Sequence, residues 1–457
     1  MTKMSKYKYS KGEQEINNVL KYQDERLKNI SFPDNTESDK QIQESEDLLR
    51  TLGIDIPTSA IKETREGKKG VLVVPSWEKL VARAENAVGN ENELEDLFTP
   101  EELKSNQKYI KKLNTEYNQI HQLDKYDVAI SVSAGLLAAA VDILMVGIPE
   151  KTPEGLKGGP LANYVRDWFD QKFPEEEMQK LANSKVSKVP FDAQDNRNTT
   201  IYVEGLSAYY HRLLSLGHDP LLGFLFGVID IMTGRMTTID KTGKIVSQVM
   251  ENYADRTERD IFQAIAKQII HFKSDITTSM GLPAPLMGLF NLMQFGSIGE
   301  EEQTVAEIVQ GMYYEGYDFI HFCTLSIPVM IAEVVTRIGY GIKRIKEGHP
   351  VRESIPFSIY REKHPKLGTM LFIAHSAATA MNAGKVYFTK NPMAINYPQW
   401  VAFATYSYKQ LKWILIEKPE ARDKYVSGIL DEQLDNVYES VDKSFAKLAD
   451  DYIIVIE

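Results

Sequence analysis

Cysteine is almost missing from this chain: Cys323 is the only one in 457 residues. A single thiol excludes an intramolecular disulfide and a cysteine-based zinc cluster, so any metal held here must rest on histidines and carboxylates. Cys323 also lies in no signature that would make it a nucleophile, and no glycine-rich phosphate loop of the Walker type occurs. Long basic runs are absent and the net charge is −11, which argues against nucleic acid as a partner. The opening MTKMSKYKYSKGEQ has no apolar core behind its lysines, so no signal peptide is expected and the N-terminus is expected to stay in the cytoplasm. There is no internal repeat and no long low-complexity tract.

What is present is ample apolar material, 43% of residues, enough for a real core in two or three domains. Residues 1–126 are polar and charged. Thr99-Pro100-Glu101-Glu102 combines a threonine cap, a proline at the first helical position and a glutamate three residues after the cap, so a helix should start there. Leu103, Tyr109, Ile110, Leu113, Tyr117 and Ile120 then recur at spacings near three and four, the pattern of an amphipathic helix. Gly70–Val74 reads as one short strand without an identifiable partner. Ser31–Ser45, rich in Asp, Asn, Ser and Glu, reads as a linker.

The character changes at Val128. Val128–Ile148 is 21 residues with one charge, Asp142, and as a helix would be about 31 Å long, enough to cross a bilayer. Asp142 would cost about 3 kcal/mol at the centre of a lone span, which the surrounding aliphatics can offset. Small residues dominate the first half, as suits close helix packing in lipid or in a tight soluble core. A second apolar segment, Asp318–Gly341, contains Asp318 and His321, then Glu333 and Arg337 four apart, read as an intrahelical ion pair. Lys343, Arg344, Lys346, Arg352, Arg361, Lys363 and Lys366 follow. If the segment spans, this excess of positive charge faces the cytoplasm. A third apolar helix is expected near Met370–Ala383, then aromatics from Tyr387 to Trp413 that suit either a headgroup layer or a core.

Ala208–Gly234 sets His211, His218, Asp219 and Asp230 in an otherwise apolar run. His211 and His218 are seven apart, about two helical turns, and share a face if the helix survives Gly217. Buried ionisable groups need partners, so the stretch is either a site or a pair of hydrogen-bonded core histidines. Further on, His271 and Asp275 are four apart on a helix and can ligate one ion together. That helix should end near Gly281 and Pro283.

In kind and order, Asp142 after an apolar helix, His211-Arg212 followed by His218, and His271-x-x-x-Asp275 followed by Thr278, Gly281 and Pro283 resemble the metal-dependent, membrane-bound hydrolases of the bacterial inner membrane. The chain departs from that pattern: Gly217-His218-Asp219 stands where the family has Thr-His-Ser, and Asp142 has no second aspartate beside it. The resemblance implies His211, His218, His271 and Asp275 as ligands of Zn²⁺, or of Mn²⁺ or Fe²⁺. Asp142 or Asp219 would be a further ligand or general base, with Arg212 stabilising an anionic transition state. It implies an ester or phosphoester substrate, a lipid or other small molecule, at the inner membrane or its cytoplasmic face. Competing expectations are a non-catalytic effector that inserts helices into a bilayer and a cytoplasmic helical scaffold, which the mean hydropathy of −0.31 suits. The fold is expected to be all-α: a polar helical region over 1–126, an apolar helical bundle carrying the His/Asp site over 127–384, in or on a membrane, and an aromatic-rich segment with a polar C-terminal helix over 385–457.

Overall fold

A computed structural model describes residues 7–29, 70–153, 155–278, 280–298 and 302–457, with five positions between 40 and 48. The linker expected at Ser31–Ser45 lies almost wholly outside the described residues. The protein is mostly helical, 67% helix against 8% strand.

In chain order, α1 (Lys11–Lys28) starts at a capping box between Ser10 and Glu13. β1 (Gly70–Val74), α2 (Trp77–Val88) and α3 (Pro100–Ile120) follow. At the start of α3 the Glu102 carboxylate accepts from Thr99 N at 2.8 Å and Thr99 Oγ1 accepts from Glu102 N at 3.3 Å, the reciprocal cap its sequence announces. α4 (Lys125–Val141) is capped by Asp124, runs into a π turn over Asp142–Val146, and stops at Gly147, whose φ of 71° favours glycine. Then come the hairpin β2 (Glu150–Thr152) and β3 (Gly155–Lys157), α5 (Pro160–Lys172), α6 (Glu175–Ala182), the single turn α7 (His211–Leu214) and α8 (Phe226–Thr233). The hairpin β4 (Arg235–Ile239) and β5 (Ile245–Val249) turns over Asp240, whose Oδ1 accepts from Thr242 N and Lys244 N. After it lie α9 (Ile261–Asp275), α10 (Val305–Tyr314), α11 (Phe319–Lys346), α12 (Val351–Ser354), α13 (Leu367–Thr389), α14 (Tyr397–Lys412), α15 (Lys418–Asp451) and β6 (Tyr452–Ile456).

These elements form two compact units, Met1–Gln119 with Lys418–Glu457, and Ile120–Glu417. The division falls near the expected change of character at the N-terminal side. At the other end it separates the aromatic-rich segment from the C-terminal helix, which 385–457 had grouped together. The reason is burial: Tyr406 on α14 packs in one cluster with Tyr340, Leu367, Met370 and Leu371, and Trp413 is buried as well, so part of that segment belongs to the core of the second unit, while Tyr387 and Tyr408 stay exposed. In the first unit α1 and α2 enclose Val19, Val81 and Ala84, and Tyr117 packs against Tyr425 with ring centroids 5.4 Å apart. β1 does have a partner. It pairs in parallel with β6, from Gly70 opposite Tyr452 to Val74 opposite Ile456.

In the second unit α4, α11, α13 and α14 pack against one another as a bundle. Small residues set how closely α4 and α13 approach: a Cβ on Gly135 would lie 2.3 Å from Ala374 O, and Ala138, Ala332 and Ala378 fill the seam beside it. Glu333 and Arg337 pair at 2.9 Å as their spacing indicates, and Glu333 also receives the Tyr406 hydroxyl. Part of the basic excess in the last turn of α11 and beyond it is engaged within the unit, Lys343 by Asp124 and Asp127 and Lys366 by Asp127. By length and composition, Pro100–Val146 and Phe319–Lys346 are apolar enough to cross a membrane.

Beside the bundle, two further cores flank α7. Leu214 belongs to a cluster with Phe191, Ile231, Met236 and Met250, and Leu213 to another with Met287, Met312, Tyr313 and Tyr317. Adjacent leucines on one turn thus face opposite cores and fix the orientation of the residues before them.

Gly135→Ala should destabilise the protein by about 1–3 kcal/mol, since α4 and α13 must separate to admit the methyl; thermal unfolding measures this. Asp230, 1% exposed, gives a pH signature. Burial pushes its carboxyl up to about 6, although it accepts from Thr237 N and Oγ1 at 2.8 Å each. With the folded value above the unfolded one of about 3.9, the protonated form is favoured by folding, so stability falls as pH rises from about 4 to 6. Asp230→Asn lacks this titration. Its stability relative to wild type should rise by up to about 3 kcal/mol from pH 4 to 7, and a pH-independent difference in unfolding would contradict the assignment.

Candidate metal centre

Two of the site residues stand where helical geometry puts them. His271 and Asp275 occupy the last turns of α9, one turn apart, with His271 Nε2 and Asp275 Oδ2 at 3.6 Å. The other two histidines arrive differently from the expected shared helix face. The chain is helical only over His211–Leu214, turns extended at Ser215, where it bridges to Thr238 of β4, and closes a 3₁₀ turn at Leu216–His218. The break folds His218 back toward His211, and their ring centroids lie 5.3 Å apart. Gly217 is required there: a Cβ would sit 2.6 Å from the Phe191 ring. That ring stands edge-on to His218 and His271, at 5.1 and 5.3 Å. Gln268 Nε2, one turn before His271 on α9, holds the break by donating to Gly217 O at 2.7 Å.

A fifth group completes the cluster and was not singled out in the sequence. Asp192, from the irregular segment between α6 and α7, places Oδ1 3.4 Å from His211 Nε2 and 3.7 Å from His218 Nε2. His218 Nε2 is also 3.8 Å from Asp275 Oδ2. Two overlapping groups result, Asp192/His211/His218 and His218/His271/Asp275, in each of which the ligating atoms lie within 4.8 Å of one another. Donor atoms about 2.0–2.2 Å from a common tetrahedral ion are about 3.3–3.6 Å apart; the separations here, 3.4, 3.6, 3.7 and 3.8 Å, lie in that range or slightly above it. The only hint of Asp192 in the sequence is its setting, Val189-Pro190-Phe191 before it and Ala193 after it, an apolar knot in a polar stretch.

The protons on the imidazoles follow from their other contacts. His211 Nδ1 lies 3.0 Å from Ala208 O and His271 Nδ1 3.0 Å from Ser187 O. A carbonyl oxygen only accepts, so Nδ1 carries the proton in both rings and each Nε2 lone pair points into the cluster, the usual arrangement of metal-ligating histidines. His211 Nε2, both His218 nitrogens, His271 Nε2 and Asp275 Oδ2 are buried without a hydrogen-bond partner. Native proteins seldom leave such atoms unsatisfied unless something binds there. Burial above all pushes the His218 pKa down to about 4, which keeps that ring neutral and able to donate a lone pair at neutral pH. The Asp192 carboxylate faces the His211 and His218 Nε2 atoms from the other side. Its side chain is 27% exposed, against 4% or less for the other four, so Asp192 forms the open side of the cluster.

Three residues expected at the site act otherwise. Arg212 donates to Asp275 Oδ1 at 3.1 Å and to Thr278 Oγ1 at 2.8 Å; it orients a candidate ligand and ties it to the loop after α9. Asp219 Oδ1 accepts from Leu221 N and Leu222 N at 2.9 Å each, which makes it a turn cap. Asp142 lies in the helical bundle, paired with Lys385 at 3.3 Å and receiving Asn382 Nδ2 at 2.9 Å, because a buried carboxylate on an apolar helix needs a cation and a donor nearby. Likewise Asp318 caps α11 through His321 N and binds Arg166 with both oxygens at 3.0 Å.

Compared with protein-family models, curated proteins and solved structures, the chain matches none. The geometry of the cluster therefore carries the functional argument alone.

If these five groups form a cation site, protein stripped with a chelator should be stabilised by Zn²⁺ or Mn²⁺, by about 2.7 kcal/mol at one hundred times the dissociation constant. His271→Ala should abolish most of that increment whatever its effect on the metal-free protein. Identical melting of stripped wild type with and without the ions would count against the site.

Proposed function

We propose that this protein is a metal-dependent hydrolase of ester or phosphoester bonds that works at a membrane. The observation that carries the reading is that three imidazoles and Asp275 bring buried, unengaged donor atoms together, with the Asp192 carboxylate beside them. His211, His218, His271 and Asp275 would hold a divalent ion, and Asp192 would join them from the open side. A cation in such a set supplies Lewis acidity and a hydroxide nucleophile near neutral pH. The chain's own contributions are separate. The Ala208 and Ser187 carbonyls fix the tautomers, Arg212 holds Asp275 in place, and Phe191 walls the cluster off from water.

Near the anchor points of Arg212 lies a cavity of about 910 Å³, lined by Thr278 and Gly281 and by residues of both charges, among them Lys151, Arg166, Asp170 and Asp318. A polar wall of mixed sign suits a headgroup better than a hydrocarbon. Membrane attachment is supported by the outward apolar stripe of α11, where Met330, Val334, Ile338 and Ile342 recur every four residues and are each more than half exposed.

That stripe also favours a second reading, a membrane-inserting protein without catalysis. The two are separated by one set of measurements on metal-loaded protein. Hydrolysis of p-nitrophenyl ester, bis-p-nitrophenyl phosphate and phospholipid vesicles should fall by about a hundredfold or more in His271→Ala and Asp192→Asn. Vesicle dye leakage without hydrolysis, equal in wild type and His211→Ala, would overturn the hydrolase reading in favour of the second.

A further inference from the structure

A second cavity, apart from the metal cluster and of opposite character, lies between α10, the end of α13 and the segment before α14. Its volume is about 520 Å³, within the range of small-molecule sites. Val309 and Met312 of α10 and Met287 opposite them supply aliphatic and thioether surface. Three tyrosines line it. Tyr387 stands at the exposed rim, whereas Tyr317 donates its hydroxyl to Ile395 O at 2.7 Å and Tyr397 donates to Pro285 O at 3.1 Å, so neither of these two has a proton left for a polar ligand. Apart from Lys390 and the Tyr387 hydroxyl at the rim the lining is apolar, which suits a hydrocarbon rather than a polar ligand.

Lys390 is the one charged residue lining the cavity among the described residues. It caps the C-terminus of α13 in the left-handed region, φ 49°. Beside it Tyr387 and Phe388 are 77% and 84% exposed, large aromatics turned outward near the mouth, as where a protein meets an apolar phase. An apolar cavity with one cation at its rim is complementary to a single chain bearing an anionic head. We propose that this cavity binds one long hydrocarbon chain with a carboxylate head, a ligand of the fatty-acid class. The assignment does not rest on the metal reading, since none of its lining residues belongs to the cluster.

The test uses the full chain and cis-parinaric acid as a fluorescent probe. Palmitate should displace the probe, and octanoate should be weaker by more than about a hundredfold because it buries eight fewer methylenes. Val309→Trp, which fills the cavity, should weaken the probe by about tenfold or more. Lys390→Glu, at the surface and outside any core, should weaken palmitate by about threefold or more and leave hexadecanol unchanged. His271→Ala should bind the probe as wild type does, which separates failure here from failure of the metal centre. The proposal is overturned by any of four results: no displacement by palmitate; wild-type binding in a folded Val309→Trp; equal response of palmitate and hexadecanol to Lys390→Glu; or displacement by phosphatidylglycerol vesicles alone.

Discussion

Two backbone carbonyls decide what the centre of this protein can do. By accepting the Nδ1 protons of His211 and His271, Ala208 O and Ser187 O leave both Nε2 lone pairs free within the buried cluster around His218. Each such atom, unsatisfied, costs about 1–3 kcal/mol. The arrangement persists because both carbonyls sit on chain held by the Phe191 core and α7 is clamped between two cores by Leu213 and Leu214. Loosening that irregular segment would free the rings to rotate and satisfy themselves, and the cluster would lose its common focus.

Asp142 and Glu333 in the helical bundle follow the opposite logic. Asp142 meets Lys385 and Asn382, Asn382 in turn accepts from Trp400 Nε1 at 3.0 Å, and Glu333 meets Arg337 and Tyr406. These groups are partnered within the bundle, and they tie α4 to α13 and α11 to α14. Within one unit the same residue types therefore serve two ends, some closing on one another and some left open toward a shared point. The difference lies in their neighbours and not in the residues themselves.

That difference explains what could be read from the amino-acid order. The start of α3, the apolar run of α4, the Glu333/Arg337 pair and the His271/Asp275 face are set by contacts within a turn or two, and the spacing shows them. His211 and His218 were recognisable as candidates, but the shared helix face that seemed to justify them does not exist; the break at Gly217 brings them together. Asp192 approaches from an aperiodic segment, where no repeat marks which side faces inward. Asp142 and Asp219 have the chemistry of ligands, yet Lys385 lies more than two hundred positions from Asp142, and the backbone amides that engage Asp219 give no compositional signal. The small-residue seam of α4 was visible as composition, while its fit against Ala374 was not.

The pairing of β1 with β6 joins segments about 380 positions apart. During synthesis the Gly70–Val74 strand emerges long before Tyr452–Ile456 exists, and the second unit, whose contacts lie within its own span, can assemble in the interval. Closing so large a loop is slow and depends on chain made last. Until then this five-residue aliphatic strand has both edges unpaired, the state in which a strand most readily pairs with another chain.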